Sequence, residues 1–191
     1  MMALSQQSIN EFCKNLAAKQ PTPGGGASAA MVAAIGAATA AMSAAYTQRK
    51  KDEESGAAEH ARQLVEKMNI AELEAMADDD EKAYKDLQST WKKDCTLSEE
   101  EIKAIQDRAL KVPTVLVEAC HQRILAVNEF LPHCNPNITS DAKVGIHSLA
   151  GAARSAYQTV LVNTPPEDEK KRICGLLLEI GAIEQDMLKL E

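Results

Sequence analysis

Between Lys19 and Arg49 the sequence carries no charged residue, and within Ala27 to Tyr46 eleven of twenty positions are alanine. Such a run either crosses a membrane or lies inside a bundle of helices. Membrane insertion is driven by Leu, Ile, Phe and Val, of which only Val32 and Ile35 occur there, while Ser28, Gly36, Thr39 and Ser43 dilute the rest. The run is therefore expected to be a helix buried against other helices, and no membrane partner is expected. Directly before it stands Pro21-Thr22-Pro23-Gly24-Gly25-Gly26, where two prolines and three glycines forbid helix and must end whatever helix precedes them.

Aromatic residues make up 3% of the 191 positions, so the core has to be filled by Ala, Leu, Ile, Val and Met. That favours packed helices and gives a sheet little of what it needs. With 45% apolar and 26% charged residues the composition is that of a globular protein, and the length suits one domain over residues 1–191. Lys and Arg number 21 against 28 Asp and Glu, and the net charge of −7 repels phosphate backbones, which speaks against nucleic acid as a partner. Cys13, Cys95, Cys120, Cys134 and Cys174 are odd in number and never form CxxC, so neither a disulfide framework nor a thiolate zinc site is expected. Residues 1–9 hold no basic stretch followed by an apolar one, and a reducing cytoplasm is the expected compartment.

Ser8 followed by Glu11 reads as a capping box that opens a first helix to about Ala18. The alanine-rich helix should reach about Gln48. From about Ala57 to Lys92 no Pro or Gly interrupts, which predicts one long helix or two nearly collinear ones. Inside it Ile70, Leu73, Ala77, Asp80, Tyr84, Leu87 and Trp91 follow at steps of 3 and 4, the rhythm of a buried seam, so Asp80 faces inward. Asp78 lies about 200° round the helix from Asp80 and points elsewhere. Ser98 with Glu101 caps a further helix to about Phe130, kinked or divided at Pro113. Another opens near Ser140-Asp141 and stops at Asn163-Thr164-Pro165-Pro166, and a last one runs from Pro166 to Leu190. The expected fold is all-α, a single-domain helical bundle of long antiparallel helices.

Three features could carry chemistry. The glycine run opening a helix offers free backbone N–H groups and the positive helix end to a polar ligand, or is merely a tight turn. Asp80 in a seam loses hydration, and must find donors or a raised pKa that suits acid–base work; its bland alternative is a structural cap. The polar loop from Asn135 to Asp141 leads into a helix N-terminus and offers hydrogen-bonding side chains to a ligand, or is merely an ordinary turn and cap. Of the histidines only His133, beside that loop, stands near a candidate site. No HExxH motif and no clustered histidines occur, so no metal is expected, and no GxSxG suggests acyl transfer.

Together these residues resemble the cyclodeaminase/cyclohydrolase family acting on one-carbon tetrahydrofolates. Pro21 to Gly26 with the small-residue helix is similar to that family's PTPGGG opening. Asp78-Asp79-Asp80-Glu81-Lys82-Ala83-Tyr84 resembles its DxDxxA(F/Y) segment, Val112-Pro113 its VP dipeptide, and Asn135-Pro136-Asn137 with Ser140, Asp141 and Val144 its NPNxxSDxxV stretch. Asn163 matches the last Asn of an NVxxN pattern whose first Asn is Thr159 here, and Ser155 stands where the family has Gly. The resemblance implies a tetrahydrofolate substrate, no further cofactor, and a homodimer. It implies an essential Asp in the DxDxxA segment, where the seam spacing favours Asp80 as acid/base with Asp78 assisting, and substrate contacts from Pro23, Gly24, Gly25, Gly26 and Ser28. It further implies pterin contacts from Asn135, Ser140, Asp141 and Asn163, with Lys50 drawing the acidic glutamate tail. The reaction is either addition of water to 5,10-methenyltetrahydrofolate or ring closure of 5-formiminotetrahydrofolate with loss of ammonia; lack of an attached formimidoyltransferase domain leans toward the former. The alternative is a non-catalytic helical scaffold or folate-binding module.

Overall fold

Ser8 Oγ accepts the Glu11 amide at 3.2 Å and starts α1, Ile9–Leu16, which ends short of the proline and glycine turn. The structure, a computed structural model, describes residues 2–188. It is 81% helical, with no strand among the described residues. The alanine-rich run forms α2, Gly25–Ala45. It is the one described helix long and apolar enough to cross a membrane, yet 56% of that stretch is buried inside the bundle. Its small side chains bring α7, Thr139–Val162, close: a Cβ on Gly36 would stand 2.9 Å from Ser148 Cβ, and one on Gly145 would stand 2.8 Å from Ala40 Cβ. With Gly25 beside Thr159 as well, the two helices run antiparallel.

Of the two expectations for residues 57–92, one long helix or two, the chain takes the second. After a short α3, Lys50–Ser55, α4 covers Ala57–Met68 and α5 covers Ile70–Ser89. They break at Asn69, whose φ of 32° lies in the left-handed region that Asn tolerates better than most residues. The buried Arg123 guanidinium fastens the break, donating to Met68 O at 2.8 Å, Asn69 O at 3.3 Å and Glu72 Oε2 at 2.6 Å.

Arg123 belongs to α6, Glu99–Phe130, which opens on the expected Ser98–Glu101 capping box. It runs through Pro113 as one helix, so the chain is not divided there. Arg123 meeting Glu72 at one end and Arg108 meeting Asp86 at the other make α5 and α6 antiparallel. The last helix, α8, runs over Glu167–Leu188, and its expected end at Leu190 lies outside the described residues. Thus α2 sits at the centre, with α5 and α7 against it and α6 closing the bundle.

Candidate active site

The amides at the start of a helix have no intrahelical acceptor, and Gly24, the N-cap of α2, has no side chain to supply one. Asp80 supplies it from α5. Its Oδ2 accepts from the Ala27 N–H at 2.9 Å, a bond between residues 53 positions apart. The approach is so close that a Cβ on Gly26 would stand 2.0 Å from Asp80 Oδ1 and 2.5 Å from its Cγ, so the middle of the contact has room only for glycine. A second bond, Thr22 Oγ1 to Glu81 Oε1 at 2.9 Å, ties the turn to the same helix.

Burial pushes the Asp80 carboxyl above its ordinary value, and the Ala27 hydrogen bond offsets part of that rise. No ion pair to Asp80 forms among the described residues. The group is therefore poised closer to neutrality than a solvated carboxylate, with Oδ1 left without a hydrogen-bond donor.

Beside this contact opens a pocket of about 350 Å³. Its polar lining includes Thr22, the glycine turn Gly24 to Gly26, Asp80, Thr159 and Asn163. Its apolar wall descends α5 through Ala83, Tyr84 and Leu87 to Trp91. The seam spacing thus places Asp80 on the inward face, but the seam is not buried throughout. Leu73 and Ala77 pack in the core, whereas Tyr84 and Trp91 are 37% and 62% exposed and meet edge to face at 6.2 Å between ring centroids.

The remaining candidates divide by position. Asn163, the C-cap of α7, lines the pocket and donates through Nδ2 to Thr159 O at 2.9 Å. Pro23 is buried under the turn, and Ser28 sits one position past Ala27; neither lines the pocket. Asp78 points away from it, accepting from Leu4 N–H at 2.6 Å and from Ser5 Oγ at 2.6 Å, and so anchors the first residues to α5.

Asn135, Ser140, Asp141 and Lys50 lie at the other end of α2. Asn135 is buried, accepts nothing from the pocket, and donates through Nδ2 to Tyr46 O at 3.0 Å and through its amide to Thr47 Oγ1 at 3.0 Å. Tyr46 is the C-cap of α2, about 30 Å along the axis from Gly24. Ser140 and Asp141 stand in the first turn of α7, the opposite end from Asn163, and Lys50 is exposed on α3 beside Glu54. Within one chain the candidates thus form two groups. His133 belongs to the far group, stacked on His60 at 3.7 Å between ring centroids.

Thr159, Tyr84 and Trp91 line the pocket without having been singled out as site residues. Thr159 was legible as the residue one turn before Asn163 on the same helical face. Among the described residues no group of three or more His, Cys, Asp or Glu side chains is placed to hold a metal ion.

Comparison with known proteins identifies the class to which this all-α bundle belongs. The family model described as formiminotransferase-cyclodeaminase matches residues 8–176. The chain belongs to that family. Among solved structures it is similar to formiminotetrahydrofolate cyclodeaminase from Thermotoga maritima, at 26% sequence identity and a TM-score of 0.81, over 96% of this chain and 92% of that one. No curated protein matches the chain by sequence.

Proposed function

We propose that this protein is a one-carbon folate enzyme, a methenyltetrahydrofolate cyclohydrolase or formiminotetrahydrofolate cyclodeaminase, with Asp80 as its acid/base. One observation carries the reading: a carboxyl of raised proton affinity, with one oxygen unbonded, stands at a helix N-terminus and lines a pocket large enough for a small ligand. Family membership and the Thermotoga maritima cyclodeaminase supply the substrate class.

Either reaction suits that carboxyl. In ring closure N10 attacks the formimino carbon on N5, the C–N bond to the formimino nitrogen breaks, and the N10 proton with one from solvent leaves in ammonia. Asp80 would take the first proton and pass it to the leaving nitrogen. In hydrolysis water adds to the cationic methenyl carbon, and one N–C bond opens to leave a formyl group and a proton. The Asp80 carboxylate would then activate the water and stabilise the cation beside it. Gly24 to Gly26, Thr159 and Asn163 offer polar contacts around the reacting centre. Asp78, bonded to Leu4 and Ser5, acts through the position of α5 rather than on substrate. The tetrahydrofolate is the only organic group this chemistry needs.

The working unit in this reading is a homodimer. Val32, Ile35 and Met42 are 40%, 51% and 40% exposed along one charge-free side of α2, an apolar stripe that a second copy would cover. Two-fold pairing along α2 would carry Asn135, Ser140 and Asp141 of one copy toward the glycine turn of the other. Five free thiols suit a reducing cytoplasm.

Both reactions should be assayed with one preparation of purified protein, alongside tetrahydrofolate binding by calorimetry and mass by light scattering. Turnover of either substrate is expected. Binding without turnover of either would favour the non-catalytic folate-binding module, and no binding at all the scaffold.

A further inference from the structure

We propose that Trp91-Lys92-Lys93 recognises the p-aminobenzoylglutamate half of the folate, the indole packing on the benzoyl ring and the two ammonium groups meeting the glutamate carboxylates. The inference rests on the folate reading above and gives that substrate its direction in the pocket.

A folate's reacting nitrogens lie mid-molecule, the benzoyl ring follows N10, and carboxylates end the chain. The pocket wall is ordered the same way. Asp80, Tyr84 and Leu87 follow one another along one face of α5, and Trp91 stands in the turn just past its C-cap Thr90, all four lining the pocket. The wall passes from a half-buried carboxyl to exposed aromatics, with Tyr84 against Trp91 edge to face. A single Trp left 62% exposed at the rim of a pocket presents a flat apolar surface that a ring would cover.

The charge follows in the same turn, just beyond the residues that line the pocket. Lys92 and Lys93 are exposed directly after Trp91, and neither forms an ion pair among the described residues. In a chain of net charge −7, two adjacent unpaired cations mark where an anionic tail is tolerated. The neighbouring depression shares Leu87, Val162 and Asn163 with the pocket but offers Gln106 and Asp107 and no cation, so it disfavours a carboxylate tail. Lys50, the cation expected from the sequence, sits beyond the far end of α2 and is already beside Glu54.

Calorimetry should compare 5-formyltetrahydrofolate with 6-methyltetrahydropterin, which lacks the benzoylglutamate, on the parent and on K92E/K93E, W91A, W91F and K50E, with circular dichroism as folding control. Titration of the parent should also change its fluorescence, which reports Trp91 alone. K92E/K93E is expected to weaken 5-formyltetrahydrofolate about tenfold and 6-methyltetrahydropterin not at all, with a flatter salt dependence than the parent. W91A should behave alike, and W91F should recover most of its loss. Parent-like binding of 5-formyltetrahydrofolate by K92E/K93E, an equal loss for both ligands, or a loss confined to K50E overturns the inference while leaving the folate reading standing. A parent that binds neither ligand overturns both.

Discussion

Asp80 caps a helix to which it does not belong: its Oδ2 holds the Ala27 amide at 2.9 Å, and its Oδ1 stands 2.0 Å from where a Gly26 Cβ would be. The catalytic candidate and the glycine turn are therefore one unit. Gly26→Ala must push the carboxylate aside, since both its oxygens and Cγ lie within 2.9 Å of the new Cβ and Oδ2 is held by the Ala27 amide. It should cost about 1–3 kcal/mol of stability, as overpacking typically does. Activity should fall with it. Thermal melting and turnover measured together check this, and a G26A enzyme equal to the parent in both would show that the turn and the carboxylate are not coupled.

The raised proton affinity of Asp80 has a consequence for stability. A carboxyl raised in the folded state binds its proton more tightly there than when unfolded, so the free energy of unfolding falls as pH rises through the unfolded value of about 3.9 and on to the folded one. Asn carries no such dependence. Asp80→Asn should thus gain stability relative to the parent on going from about pH 4 to about pH 7. Denaturant melts of both proteins across that range test it, and an unchanged or reversed difference would mean that burial does not dominate at this site.

Local signals accounted for much of the fold. Ser8 and the Ser98–Glu101 box start helices where their spacing says they should, and the alanine run is the central helix because its residues are too small and too polar to favour lipid. The steps of 3 and 4 put Asp80 inward and Asp78 outward, as found. Other features needed tertiary information. The break at Asn69 is not marked by Pro or Gly; a buried Arg 54 positions away completes it. The seam reading took Tyr84 and Trp91 for core, since periodicity cannot tell a packed face from a pocket wall. Motif matches placed Asn135, Ser140 and Asp141 in the site, but nothing local in a sequence reports that α2 holds them about 30 Å from the glycine turn.

The Arg123 brace gives a further expectation. Arg123→Ala removes donors from Met68 O, Asn69 O and Glu72 at once, leaving carbonyls at the α4–α5 break unsatisfied. A loss of about 2–4 kcal/mol follows from several such bonds. Urea melts measure it, and a loss below about 1 kcal/mol would show that water replaces the guanidinium at little cost.

Thiol chemistry distinguishes the inside of the bundle from its surface. Burial pushes the Cys120 thiol up to about 12, whereas Cys13 is exposed on α1. Brief iodoacetamide treatment of the native protein, read by mass spectrometry, should label Cys13 and spare Cys120, and denaturation should open Cys120 to the reagent. Equal native labelling would contradict the packing of α6.

The most direct test of the central claim is steady-state turnover of both folate substrates by Asp80→Asn and Asp78→Asn, with circular dichroism confirming the fold. Asn keeps the size of Asp and a hydrogen bond but cannot shuttle a proton. Loss of general acid–base catalysis typically lowers the rate by about 10²- to 10⁴-fold, and that is the loss expected for Asp80→Asn. Asp78→Asn, which disturbs only the anchoring of Leu4 and Ser5, should cost stability more than turnover. An Asp80→Asn enzyme within about threefold of the parent, far from the loss that acid–base catalysis implies, or a greater loss at Asp78, would contradict the account.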